Sequence, residues 1–557
     1  MRSLHSVAMP SKRWHCGVLL FWIGMLLRAQ NADMSNEPTS GDLLWLSLLR
    51  GERAVGSVSV LPPRLDDLLK QTTALDTFQR YLAVYYAPLS DTAGAMGQAF
   101  SQYRGRWSVA MVRDSNVAVR VDASAYGRGG NFWLDTGEPI AAGRLSIRTL
   151  GCIRGGWSML LDLANGALFR GEPERVAQTD PDMARAPRLF LDQRSFFDRS
   201  LAVVQYQGEL GRIRLGRDVI GWGYSPLGGL LFSVGSPLLD HLLADAHYKS
   251  VRFTYLHGAA IGRDTSGRDV PTKFVAAHRI QFDPSENLSV AISDAIVYSG
   301  RGLDLGYLNP VEFFVSSGMR SAERNERDNS LLAAELAWRP INWLLVYGTL
   351  LADDISFGSL GDTSANGNNN KYAWQLGMAH ALSIGTWHTF IVGEYVRINP
   401  FVYAHRTIVN AWTSQGEVLG ALQQPNSDRW ALALTLWLAP RLRFSIRADY
   451  QRWGENWLDS TGKIVTAFLP GSTIPVPVGN VGGDAARGDG DVLPAPFAVG
   501  NRFLRGNVSH TRLYQAWVSL EPAVNVFLDL RAEYMLRTGG NAPMERWWWW
   551  VQLRVGY

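Results

Sequence analysis

Few residues in this chain are arranged for covalent or metal chemistry. There is no H-E-x-x-H, no G-x-S-x-G and no phosphate-binding G-x-x-x-x-G-K-[ST] loop. GYSPLGG (223–229) has one residue too many for a nucleophile elbow. GRGLDLG (300–306) is glycine-rich but lacks the following helix that a phosphate cradle needs. The histidines His241, His247, His257, His278, His380, His388, His405 and His510 stand singly, with no pair at ligand spacing on one element. Asp484, Asp489 and Asp491 in GGDAARGDGDV (482–492) suit either a calcium ion or an acidic loop. The expectation is a protein that is not an enzyme, with no catalytic set, no cofactor and no metal.

The elements around these residues alternate with a period of two. In WWWWVQLRVGY (547–557), Trp549, Val551, Leu553, Val555 and Tyr557 share one face, and Trp550, Gln552, Arg554 and Gly556 share the other. VNVFLDLRAEYMLR (524–537) and RLRFSIRADYQRW (441–453) repeat the pattern, with Arg441, Arg443, Arg447 and Asp449 on the polar face of the latter. Such runs exceed the usual strand of about five or six residues and match the roughly 9 to 11 that a tilted membrane-spanning strand needs.

Composition narrows the class further. The chain has 557 residues, a formal net charge of +4, 21 Trp and 11% aromatics, with mean hydropathy near zero at -0.07. A near-neutral charge gives no support to nucleic acid as a partner. Beyond the amino terminus there is no uncharged apolar run of about 18 residues, as a spanning helix requires. Lys12 and Arg13 precede the apolar run CGVLLFWIGMLL (16–27), with Ala29 and Ala32 after it, so residues 1–32 are expected to be an export signal. Its removal leaves Cys152 alone, without a disulfide partner. Residues 33–112 carry helical spacing in GDLLWLSLLRGE (41–52), PPRLDDLLKQ (62–71) and TALDTFQRYLAVYYAPL (73–89), and are expected to form a periplasmic helical segment and lead-in.

Turns supply a topology for residues 113–557. DPSEN (283–287), RPIN (339–342), LAPR (438–441) and EPAV (521–524) are short links, whereas 298–330, 353–370, 398–428 and 454–509 are long. Short on one side and long on the other is the pattern of an outer-membrane barrel, with the long side facing outward. Parity along the chain gives about eighteen antiparallel strands, beginning near 117, 141, 154, 201, 211, 228, 249, 274, 287, 330, 342, 371, 386, 428, 441, 510, 523 and 546. GGLLFSV (228–234) supplies the sixth, and RWSVAMV (106–112) is left as a lead-in. The fold class is therefore an all-β transmembrane barrel with a short N-terminal helical segment. Its apolar face meets outer-membrane lipid, with Trp549 and Tyr557 near the two interfaces.

Two stretches carry a family resemblance. Gly216-Arg217-Asp218 followed by Trp222-Gly223 and the LLFS run, Tyr307-Leu308-Asn309-Pro310, Asp328-Asn329-Ser330-Leu331-Leu332, and Leu345 to Asp354 with its paired aspartates resemble the capsule-assembly Wzi family of outer-membrane proteins. The likeness covers roughly 200–355, and the rest only in general architecture. It implies an eighteen-stranded barrel with a periplasmic helical segment, and a lectin-like role in holding or organising polysaccharide on the cell surface. Under that implication Trp222, Tyr224, Tyr307, Trp412, Trp453 and Trp457 offer rings to sugar C–H faces, and Asn309, Asp328, Asn329, Asp353 and Asp354 offer hydrogen bonds to hydroxyls. The rival role for these side chains is to cap turns and tie loops over the barrel mouth. Tyr557 resembles the terminal aromatic residue that barrel insertion machinery reads.

A diffusion porin is the alternative, because ionic groups two residues apart, as in Asp529, Arg531 and Glu533, either ladder across the lumen or line a water path. An outer-membrane hydrolase would need a catalytic set that the chain lacks.

Overall fold

A computed structural model describes residues 57–58 and 109–556, apart from 114–115, 134–136, 154, 180–187, 192–193, 264–267, 315–327, 355–369, 386, 440, 469–474 and 489–501. The expected signal, nearly all of the helical segment, and Tyr557 lie outside these residues.

Eighteen antiparallel strands close into one barrel. They are β1 (Val117–Phe132), β2 (Pro139–Ile153), β3 (Trp157–Arg170), β4 (Arg194–Gln207), β5 (Gly211–Asp218), β6 (Leu239–Tyr248), β7 (Val251–Arg263), β8 (Asp269–Ser285) and β9 (Leu288–Ser299). The second half comprises β10 (Asn329–Ile341), β11 (Leu344–Asp354), β12 (Lys371–Ile384), β13 (Trp387–Ile398), β14 (Ser427–Ala439), β15 (Leu442–Glu455), β16 (Asn507–Ala523), β17 (Val526–Gly539) and β18 (Met544–Gly556). Each pairs with its neighbour in sequence, and β18 returns to β1 from Trp548↔Phe132 to Gly556↔Ser124. Closure leaves no edge of unpaired amides, which lipid would not tolerate. The lead-in contributes a short strand, Ala110–Arg113, which extends the β18 side of β1 by pairing with Ala118–Val121.

Short turns join the strands at one end. Lys249, Gly385 and Asn525 take positive φ there (52°, 60° and 61°), as tight hairpin turns demand. At that end lie the exposed rings of Trp157, Trp338 and Trp387, with Trp157 5.2 Å from Tyr206. Toward the long-loop end, Trp374, Tyr395 and Trp430 form a row with centroids 4.8 and 4.4 Å apart, and Trp133 stacks on Trp547 at 5.7 Å. Between these aromatic girdles the wall exposes Leu145, Leu215, Ile292, Leu376, Leu432 and Leu553, the apolar band that faces lipid. Along β18 the outward positions include Trp549, Val551, Leu553 and Val555, while Trp548 and Trp550 point inward and are fully buried.

One expected strand is corrected. The sixth strand is Leu239–Tyr248, and GGLLFSV lies in the preceding loop, with Leu230, Leu231 and Phe232 at most 1% exposed. The true strand hides its membrane character because its polarity is mixed on both faces. Leu239 and Leu243 point inward onto a packed core, and Asp240 points outward, paired with Arg217 at 2.7 Å. The other strands begin within about seven residues of their expected starts.

Candidate functional site

Two long loops, 219–238 and 399–426, turn back into the barrel and build an apolar core against the inner wall of β6 to β13. Trp222 meets Phe232 edge-on at 5.1 Å, and Phe232 meets Trp412 at 5.2 Å. The Trp412 indole donates to the Leu231 carbonyl (2.7 Å), and the Tyr403 hydroxyl donates to the Leu230 carbonyl (2.6 Å). Ser233 N and the Ser236 hydroxyl both donate to the Leu419 carbonyl. The sequence folds this way because the loop segments are as apolar as strands yet carry Gly223 and Gly228 at φ 109° and 118°, where a strand cannot continue. Phe401 and Tyr403 also adopt positive φ, a cost of about 1–3 kcal/mol each that their complete burial offsets.

The wall anchors the two loops. The Lys273 ammonium donates to the carbonyls of Ala411 and Thr413, both at 2.7 Å. Asp353 accepts from Tyr403 N, and Gln375 donates to the Gly228 carbonyl at 2.8 Å. At its tip, loop 219–238 meets buried ion pairs of the wall. Arg279 pairs with Glu335 (2.8 Å) and donates to the Tyr224 hydroxyl (3.2 Å), while Glu394 takes hydrogen bonds from Arg429, Tyr347 and Ser225. Burial pushes the Tyr224 phenol above its usual range, so it stays a neutral donor and acceptor. Elsewhere the lumen shows the ladders of alternating charge that the sequence suggested, with Arg120–Asp122 and Arg447–Asp449 each two residues apart on one strand.

Tyr307, Asn309 and Asp328 belong to a different feature. Inward positions on β7, β8 and β9 are Leu256, Val275, Ala277 and Val297, which face the apolar core. Tyr255, Ala276, Ile296 and Tyr298 therefore point outward, and residues 300–314 fold over them on the outside of the barrel. Tyr307 lies 5.1 Å from Tyr298 and 5.8 Å from Phe314, and Phe314 lies 4.6 Å from His278. Asp328 fastens the segment by accepting two bonds from Arg301 (2.8 and 2.6 Å) and one from the Tyr307 hydroxyl (2.7 Å). Asp304 caps the single helical turn Leu305–Leu308 through Gly306 N.

Trp222, Tyr224, Tyr307 and Trp412 are thus packing residues, each at most 3% exposed, with their rings covered. Asn329 is buried at the head of β10, and its Nδ2 has no hydrogen-bond partner among the described residues. Asp354 ends β11, and its side chain lies outside the description. Asn309 is exposed, and its Oδ1 accepts only weakly from Val311 N (3.3 Å). Trp453 is half-buried at the mouth, donating to the Gly483 carbonyl (2.8 Å) beneath the Arg537 guanidinium, 5.1 Å from its ring. Trp457 is half-buried under Arg505 at 5.5 Å. Around them Asn456, Asn480 and Asn426 bond to the backbone of Val481, Gly488 and Arg505 and hold those described parts of the outer loop. Asp484 caps a short helical turn through Ala486 N, while Asp489 and Asp491 lie outside the description. Among the described residues no acidic or histidine group gathers at metal spacing.

Lys273, Tyr403 and the reach of loop 399–426 were not singled out from sequence. Lys273 at an inward, apolar level of β8 was the available signal, as were His278 and Asp294 at outward positions.

Compared with known proteins, the chain matches the family described as capsule assembly protein Wzi over residues 153–473. Its fold is similar to that of Escherichia coli Wzi, an outer-membrane protein involved in group 1 capsule assembly and a carbohydrate-binding β-barrel. The two are 12% identical, with 95% of this chain and 98% of that one covered at a TM-score of 0.54. Pseudomonas aeruginosa OprD is 10% identical over 79% of this chain and 95% of its own, at a TM-score of 0.41. No curated protein matches the chain.

Proposed function

The chain belongs to the Wzi family of capsule assembly proteins, and on that footing we propose that this outer-membrane barrel binds or organises surface polysaccharide at its outer loops, without catalysis. The observation that carries the proposal is the packed mouth. Loops 219–238 and 399–426 join into one apolar core inside the barrel, so the outer surface is a fixed platform on which a polymer can rest. A chain of sugars is recognised by rings against its C–H faces and by planar polar groups against its hydroxyls. Trp457 and Trp453 keep accessible edges at the mouth and are the residues assigned to that contact. Asp353, Trp222, Tyr224 and Trp412 support it indirectly, by holding the loops that carry the platform. Lipid is the partner of the apolar wall.

The deciding experiment is binding of the detergent-purified protein to high-molecular-mass polysaccharide from its own strain, with dextran as control. Saturable binding to the former alone supports the proposal. No binding by a barrel that is folded by circular dichroism overturns it. A diffusion porin is the second reading, favoured by the ionic lining that includes Arg148, Asp162 and Arg199, and it requires stepwise ion conductance in planar bilayers.

A further inference from the structure

The segment 300–314 lies on the wrong side of the wall for a loop that serves the mouth. Asp294 is six residues beyond the short-turn end of β9. At about 3.4 Å per residue and a tilt near 40°, that places it about 15 Å up an apolar band about 25 Å tall. An outward carboxylate at this level would stand in hydrocarbon, at a cost of several kcal/mol. The same holds for His278, across from it in register, and for the hydroxyl of Tyr255 beside His278, while the Tyr298 hydroxyl lies four residues higher, near the outer interface.

Residues 300–314 supply partners to these groups. Phe314 N donates to Asp294 (2.6 Å), the Tyr255 hydroxyl donates to the Tyr307 carbonyl (2.9 Å), and Asp304 N donates to the Tyr298 hydroxyl (3.3 Å). With Tyr307 and Phe314 turned wholly onto the wall, the segment turns Leu303, Leu305, Val311 and Phe313 away from it, 59%, 81%, 82% and 47% exposed. Just below on the same face, Ile280 and Ile292 are the exposed apolar side chains of the lipid band.

We propose that residues 300–314 form a flap embedded in the outer leaflet, with Leu303, Leu305, Val311 and Phe313 in contact with lipid acyl chains. The flap takes over from the strands the task of presenting an apolar surface, because the strands beneath it carry polar groups. Continuity with the lipid band selects acyl chains as the occupant over a second copy of this chain or another protein. This goes beyond the polysaccharide reading and stands without it.

The test places a nitroxide label at Leu305→Cys and Val311→Cys in the full chain carrying Cys16→Ser and Cys152→Ser, reconstituted in phospholipid vesicles. Ile292→Cys is the lipid reference and Thr461→Cys, on an exposed outer loop, is the water reference. Oxygen collects in hydrocarbon, and a nickel chelate stays in water. The expected result is an oxygen-to-nickel collision ratio at both flap positions that matches Ile292 and exceeds Thr461. A ratio equal to that at Thr461 overturns the proposal. Shielding from both reagents also overturns it, because protein then covers the patch. All four sites are exposed, so labelling leaves the core intact, and heat-modifiable gel mobility checks that each barrel is folded.

Discussion

The ammonium of Lys273 sits 2.7 Å from the carbonyl oxygen of Ala411, 138 residues further along the chain, and ties the wall of the barrel to the loop that fills its mouth. A second bond of equal length to Thr413 completes the latch. Replacing it by Lys273→Met keeps the stem and removes the donors, so the Ala411 carbonyl keeps only Thr413 N and the Thr413 carbonyl loses its side-chain donor. The expected loss is about 1–3 kcal/mol. Loop 399–426 then becomes open to limited proteolysis at temperatures where the parent chain resists, read by gel and mass spectrometry.

Trp412 is one of the two tryptophans in the plug and bonds to Leu231 as well as packing on Phe232. Trp412→Ala is expected to destabilise the mouth by about 3–5 kcal/mol. The barrel wall, held by its own ladder, survives. Planar-bilayer recordings should therefore show ion steps for the variant that exceed those of the parent chain, and equal conductance would contradict a plug made by this loop.

Ile292 and Ser293 are neighbours on β9 that face opposite solvents, the first 67% exposed on the lipid side and the second buried in the lumen. Ile292→Arg should cost about 2–4 kcal/mol if the residue lies near the bilayer midplane, and less toward an interface. Ile292→Leu should be close to neutral. Urea titration of the two variants in vesicles measures the difference.

On the polysaccharide platform, Trp457→Ala removes one stacking ring while leaving the barrel core untouched. A ring contact of about 0.5–1.5 kcal/mol corresponds to a fall in affinity of roughly two- to twelvefold. Trp457→Phe should recover most of it. Isothermal titration with the strain's own polymer reads both, and unchanged affinity in the alanine variant would remove Trp457 from the site.

Asp328 draws Arg301 and Tyr307 together at the root of the flap. Asp328→Asn keeps the shape but drops the charge, and the expected cost is about 1–3 kcal/mol. Amide exchange in residues 304–308 should quicken, with the rest of the barrel unchanged.

The barrel was legible in the sequence because lipid on one side and a polar lumen on the other enforce alternation, as along 441–453 and 524–537. It became illegible where a strand's inner face met protein in place of water. Leu239–Tyr248 reads as mixed for that reason, and GGLLFSV, buried on all sides, reads as a strand without being one. The site was harder still. Trp222 and Trp412 announce themselves by type, but a ring that stacks on sugar and a ring that stacks on Phe232 have the same letter. Only the chain's path distinguishes them, and that path is set by contacts between loops nearly two hundred residues apart. The polar outward residues His278 and Asp294 were visible as exceptions to the alternation, and an exception on a lipid face implies a cover.

The closing ladder joins the earliest spanning strand to the last, and Arg128 donates to Gln552 across a separation of 424 residues. Closure of the cylinder therefore waits on the meeting of these two strands. Until β18 arrives, β1 has an open edge along most of its length, and no shorter piece of the chain can satisfy those amides in lipid. The cylinder cannot grow stably strand by strand from its amino-terminal side. Its seventeen other strands stay an open sheet until Met544–Gly556 pairs with β1.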